Sequence, residues 1–279
     1  MSTKIIDPHV HFFNLIEGQY LWLQGANPPT WPNLDKIKQQ ISAEQLIEST
    51  DFELSGLVHI EAGFDNSAPI NELKWLDKHL SNIAYKAISF IQIDQDSESF
   101  ERTLKNLIHP TLAGIRDITE GNDAARLLNS FCLDNLKILS HLNLHFEAQL
   151  ELENIPIVKK LAYYAKQLPH LQIVINHAGL PSNIVLWQQG IELLAKNCNV
   201  AIKFSGFELL SLNNQQQITC FDIIFQHFGE QRIMFASNFP VCQINSSYNN
   251  LWHAHLGLCN SDHIWYQLSY KNAKHLYLV

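Results

Sequence analysis

Residues 4–13 read KIIDPHVHFF, a short apolar run that ends in Asp7, Pro8, His9, Val10 and His11. A run of this kind suits a strand buried on both faces, as in a parallel sheet. It is the first of eight. GLVHIEA (56–62), AYKAISFIQI (84–93), LAGIRDI (112–118), NLHFEAQL (143–150), LQIVINHAG (171–179), NVAIKFSGF (199–207) and RIMFASNFPV (232–241) repeat the pattern. Between and after them lie segments with helical periodicity: AEQLIESTDF (43–52), INELKWLDKHL (70–80), SESFERTLKNLI (97–108, with serine and glutamate as its cap), LNSFCLDNLKILSHL (128–142), IPIVKKLAYYAKQL (155–168), NIVLWQQGIELLAKN (183–197), QITCFDIIFQHFG (217–229) and HIWYQLSYKNAKHLYLV (263–279). Eight strand–helix units in order predict an α/β protein of the (β/α)8 TIM-barrel class. A doubly wound open sheet is the competitor, but no GxGxxG follows the first strand. No linker breaks the alternation, so residues 1–279 read as one domain.

Composition narrows the partners. The chain has 279 residues, 46% of them apolar, with a formal net charge of −8. That is enough apolar residue for a sizeable core, and the acidic balance argues against nucleic acid, which calls for a basic footprint. The five cysteines are scattered without a CxxC pair, as expected for reduced thiols in the cytoplasm. No run reaches the ~20 apolar residues of a membrane span, and the N-terminal stretch lacks the apolar core of a leader. The expectation is a soluble cytoplasmic protein acting on a small molecule, with oligomeric state left open.

In a (β/α)8 barrel, chemistry sits at the C-terminal ends of the strands. His9 and His11 are two apart on strand 1, so both imidazoles face one side; such a pair can chelate a divalent ion or serve as two hydrogen-bonded histidines. Glu61 ends strand 2. Arg116 ends strand 4, where its planar fork suits a carboxylate or a polarised carbonyl; a salt bridge to Glu61 or Glu147 is the structural alternative. Strand 5 offers His145, Glu147 and Gln149, with Gln149 nearest the mouth and His145 at the far end. His177 follows strand 6, Lys203 or Ser205 end strand 7, and Ser237 and Asn238 follow strand 8. The remaining histidines read as surface or helix-packing residues. The long Trp- and Pro-rich segment 14–34 follows strand 1 and is expected over the mouth.

This set, with HVHFFN, YLWL, VHIEAG, LAGIRD, INHAGLP, VAIKFSG, FASNFPV and KNAKHLY in the same order, resembles the amidohydrolase superfamily. The details are closer to its amidohydrolase-2 branch, which includes L-fuconolactonase and 2-pyrone-4,6-dicarboxylate lactonase. The resemblance spans almost the whole chain and implies hydrolysis of a small cyclic ester, a sugar-acid or dicarboxylate lactone. It implies catalytic roles for His9, His11, Arg116, His177 and Asn238, and substrate contacts from Glu61, Gln149 and Ser205. Where the superfamily carries an Asp after strand 8, this chain has Asn238, and an amide takes no proton from water at neutral pH. Arg116 stands in the stretch where binuclear members carry a bridging lysine. The resemblance therefore leaves at most one divalent, zinc-like cation on His9, His11 and His177, or none. With Asn238 unable to act as base, His177 is the best proton acceptor, since an ordinary imidazole titrates near neutrality. The alternatives are a metal-dependent decarboxylase or C–C hydrolase of the same superfamily, or a barrel that binds a small molecule without turnover.

Overall fold

The computed structural model describes residues 3–80 and 82–277. Eight strands are present: β1 (Lys4–Val10), β2 (Glu53–Ile60), β3 (Tyr85–Phe90), β4 (Leu112–Ile118), β5 (His145–Gln149), β6 (Ile173–Ile175), β7 (Val200–Phe204) and β8 (Ile233–Phe235). They form one sheet in the order β1 to β8, with parallel pairing, and the chain after β8 returns to β1 through the parallel bridge Val10–Phe239. This is the (β/α)8 barrel class that the alternation predicts. The strands are buried almost continuously: six of the seven β1 residues and all five β7 residues are buried, as two covered faces require.

The helices are α1 (Leu21–Gln24), α2 (Ala43–Glu48), α3 (Ile70–His79), α4 (Ser97–Leu107), α5 (Cys132–His141), α6 (Ile155–Gln167), α7 (Ile184–Ala195), α8 (Asn214–Phe228), α9 (Tyr248–Gly257), α10 (Asp262–Tyr266) and α11 (Asn272–Tyr277). Local chemistry sets their starts. Ser42 with Gln45, and Asn213 with Gln216, close reciprocal capping boxes on α2 and α8. The cap of α4 is Asp96, whose side chain accepts from Ser99 N, so Ser97 is the first helical residue and not the cap. The segment expected as one last helix from 263 is α10 and α11 joined through a π-helical turn, Gln267–Lys271; residues 278 and 279 lie outside the described residues. Helix α9 has no counterpart in the sequence reading, and it carries a site residue.

The chain divides into two compact units: Met1–Phe90 with His109–Leu112 and Phe235–Val279, and Ile91–Ile108 with Ala113–Met234. In the first, β1 pairs with β2 from Lys4–Glu53 to Val10–His59, and the register slips between Asp7 and Val10. Pro8 lies in that gap; it has no N–H to give the ladder, which accounts for the irregularity. The segment after β1 docks on the segment after β2: Gln19 N and Tyr20 N donate to Phe64 O (2.6 Å) and Gly63 O (2.9 Å), and Trp22 Nε1 to Ala62 O (2.7 Å). In the second unit, β4 pairs with β5 so that Arg116 stands opposite Glu147, and β5, β6 and β7 continue in register.

Candidate active site

In the first unit the site residues are organised by one carboxylate. Asp7 is fully buried; its Oδ1 accepts from the backbone N–H of His9 and of Ser237 (both 3.1 Å), and its Oδ2 from the Tyr248 hydroxyl (3.0 Å). Burial outweighs these hydrogen bonds and pushes the Asp7 pKa up to about 6. The same turn is held by the backbone: Asn238 N donates to His9 O (3.0 Å) and His11 N to Phe239 O (2.7 Å). Asn238 thus sits directly after β8, buried, with a left-handed φ of 59°. Asn is one of the few non-glycine residues that adopt this region readily.

His9 and His11 are both buried, with their rings edge to face and centroids 5.1 Å apart, as the two-residue spacing predicts. His11 Nδ1 lies 2.8 Å from Ile60 O. A carbonyl only accepts, so Nδ1 carries the proton and the lone pair of the neutral ring is on Nε2. Behind these rings is a pair that the sequence did not reveal: His59 Nε2 is 2.9 Å from Glu72 Oε1, which also accepts from Ala62 N (2.8 Å), and Phe12 stacks on His59. Glu61 is buried at the end of β2, with its backbone N–H on Ile88 O (2.8 Å).

The second unit holds two further networks. Arg116 Nη1 donates to Gln149 Oε1 (2.8 Å), and Gln149 Nε2 donates to Glu120 Oε1 (2.6 Å). Burial raises the pKa of Glu120. Glu147 Oε2 accepts from Lys203 Nζ (2.5 Å) and Asn176 Nδ2 (2.6 Å), with Glu147 and Lys203 both fully buried. Lys203, weighed above as a mouth residue, is therefore an internal counter-ion.

His177 follows β6, buried and left-handed at φ 52°, with Nδ1 3.1 Å from Ser205 Oγ. Burial, with the cationic Arg116 and Lys203, pushes its pKa well below 6.5. This corrects the expectation of titration near neutrality: burial and the two cations hold the ring neutral at pH 7. His145 is pushed down to about 4, mainly by burial. His255, one of the helix-packing histidines, stacks on Phe235 (4.7 Å) within the first unit.

The resemblance leaves open a single cation, so the donors present matter. Among the described residues no group of three or more His, Cys, Asp or Glu side chains is arranged to hold a metal ion. No chemical step below runs through a cation.

Glu72, Glu120 and Tyr248 escaped the sequence reading. Glu72 and Tyr248 lie on helices, where a polar residue reads as surface, and Glu120 lies in the turn after β4. The one available signal was Glu72 beside Trp75 and Leu76 on an otherwise apolar face of α3.

The comparisons agree with this architecture. Residues 6–278 match the family model described as Amidohydrolase. The chain is 28% identical over 277 residues to an L-fucono-1,5-lactonase of Burkholderia multivorans, covering 90% of this chain and 87% of that protein. Among solved structures, it is similar to an amidohydrolase from Burkholderia multivorans with bound zinc (TM-score 0.81, 19% identity, 99% of both chains). It is also similar in fold to a putative 2-pyrone-4,6-dicarboxylic acid hydrolase from Pseudomonas putida (TM-score 0.71, 19% identity, 99% and 98% covered). A 5-carboxyvanillate decarboxylase from Sphingomonas paucimobilis shares the fold too (TM-score 0.67, 13% identity, all of both chains). The chain belongs to the amidohydrolase family and is an enzyme of that class, with a lactonase among its sequence relatives and a decarboxylase among its neighbours in fold. Among the described residues no helix is long and apolar enough to cross a membrane.

Proposed function

We propose that this enzyme hydrolyses the ring ester of a small lactone, a sugar-acid or dicarboxylate lactone. The observation that carries the proposal is His177: a buried imidazole, neutral at pH 7, at the end of a barrel strand, with one ring nitrogen engaged by Ser205. A neutral imidazole can take the proton of an attacking water, a role worth about 10²–10⁴ in rate. As the carbonyl becomes tetrahedral, its oxygen gains charge and needs fixed donors. His9 and the Asn238 amide supply hydrogen-bond donors, while His11, with its Nε2 lone pair, accepts from a substrate hydroxyl. Arg116, hydrogen-bonded to Gln149, orients a substrate carboxylate or hydroxyl, and Glu61 and Gln149 contribute substrate contacts. Proton return from His177 to the departing alkoxide opens the ring and regenerates the neutral imidazole.

The similarity to L-fucono-1,5-lactonase supports the lactone reading over decarboxylation, since that likeness extends over most of the sequence and the decarboxylase likeness is one of fold. A panel of sugar and dicarboxylate lactones, followed by proton release at pH 7 with and without chelator, tests the proposal. Turnover of at least one lactone is the expected result, and the chelator arm decides whether a cation is needed for it. No lactone turnover, with loss of CO2 from a carboxylated arene instead, would replace this reading by the decarboxylase one.

A further inference from the structure

We propose that Ser205 is a positioning residue: its hydroxyl accepts from His177 Nδ1–H and so holds His177 in the tautomer whose Nε2 carries the lone pair. This rests on the reading of His177 as the base, and it moves Ser205 from substrate contact to support of the reacting ring.

Three observations converge on it. His177 Nδ1 and Ser205 Oγ are 3.1 Å apart, and both residues are buried. The ring is also fixed from the side: Gly206 has φ +83°, and a Cβ there would lie 2.3 Å from His177 Cβ and 2.7 Å from Nδ1. Only a residue without a side chain leaves that space to the imidazole. Finally, Glu147 binds both Asn176, which precedes His177, and Lys203, two residues before Ser205. One buried carboxylate therefore ties the ends of β6 and β7 together and sets the distance across which Ser205 meets the ring.

The direction of the hydrogen bond has a chemical consequence. A neutral imidazole has one N–H and one lone pair, and the bond made by one nitrogen decides the state of the other. If Ser205 accepts, Nε2 is the basic atom; if Ser205 donates, Nε2 bears a proton and cannot take another. Hydrolysis by a His177 base requires the first arrangement.

The test reads the tautomer directly. In protein carrying 15N-histidine at pH 7, long-range ¹H–15N spectra distinguish the tautomers, and His177→Asn assigns the signal by its loss. The wild type is expected to show His177 protonated at Nδ1. Ser205→Ala is expected to shift the population toward protonated Nε2 and lower kcat about tenfold, the worth of one hydrogen bond, with little change in KM. Ser205→Thr, which keeps the hydroxyl, is expected to restore both. A wild-type ring protonated at Nε2, or a Ser205→Ala spectrum identical to wild type, overturns the inference. A shifted tautomer with unchanged kcat leaves Ser205's role standing and removes His177 as the base.

Discussion

The turn after β8 and the turn after β6 solve the same problem with different electrostatics. Each follows a three-residue strand, and each ends in a buried polar residue with left-handed backbone, Asn238 at φ 59° and His177 at φ 52°. Left-handed φ in non-glycine residues is uncommon and concentrates at functional sites. Behind each stands one buried carboxylate. Asp7 is held by neutral donors, among them two backbone N–H groups and the hydroxyls of Ser237 and Tyr248, and its pKa rises to about 6. Glu147 is held by Lys203 and an amide. The difference teaches that a buried carboxylate can organise a strand end either as a hydrogen-bond hub whose charge is a liability, or as half of an ion pair whose charge is required.

That contrast can be broken first at Glu147. Glu147→Gln keeps the shape but removes the charge that faces buried Lys203, and removing one partner of a buried pair costs about 3–5 kcal/mol. Urea denaturation at pH 7 should show a loss of that size; a loss under ~1 kcal/mol would show that the pair is not needed.

Asp7 should behave oppositely. Its folded pKa, about 6, lies above the ordinary 3.8, so the native state holds the proton more tightly. Its contribution to stability is present below the unfolded pKa and is lost as pH rises through about 6, roughly 3 kcal/mol in all. Asn at position 7 can accept both backbone N–H groups through its carbonyl and donate to the Tyr248 oxygen. Asp7→Asn should therefore be no less stable than wild type at pH 7, and the difference between the two should shrink toward pH 4. A variant several kcal/mol weaker at every pH would show that the charge itself is used.

The smallest effect is expected at the backbone. Asn238→Gly should stay within ~1 kcal/mol of wild type, because glycine accepts the left-handed turn, whereas Asn238→Ala should cost ~1–2 kcal/mol. Equal stability of the Ala and Gly variants would show that the turn is not strained.

How much of this was legible beforehand follows from the range of the interactions. The alternation of β-branched runs with helical periodicity is local, and it yields the barrel and the strand ends bearing His9, His11, Arg116, His177 and Asn238. The partners of those residues are not local. Tyr248 meets Asp7 across 241 positions, and Lys203 meets Glu147 across 56. No periodicity links such pairs. Glu72 illustrates a second limit: it lies only 13 positions from His59, but on an amphipathic helix its carboxylate reads as solvated, and the structure buries it. The pKa of His177 belongs to the same class, since burial and two distant cations set it.

The most direct test of the central claim is the kinetics of His177→Asn on whichever lactone the wild type hydrolyses. The account predicts a fall in kcat of at least about 100-fold with KM changed by no more than a few-fold, the pattern of a lost proton acceptor. A variant that keeps the wild-type kcat would contradict it.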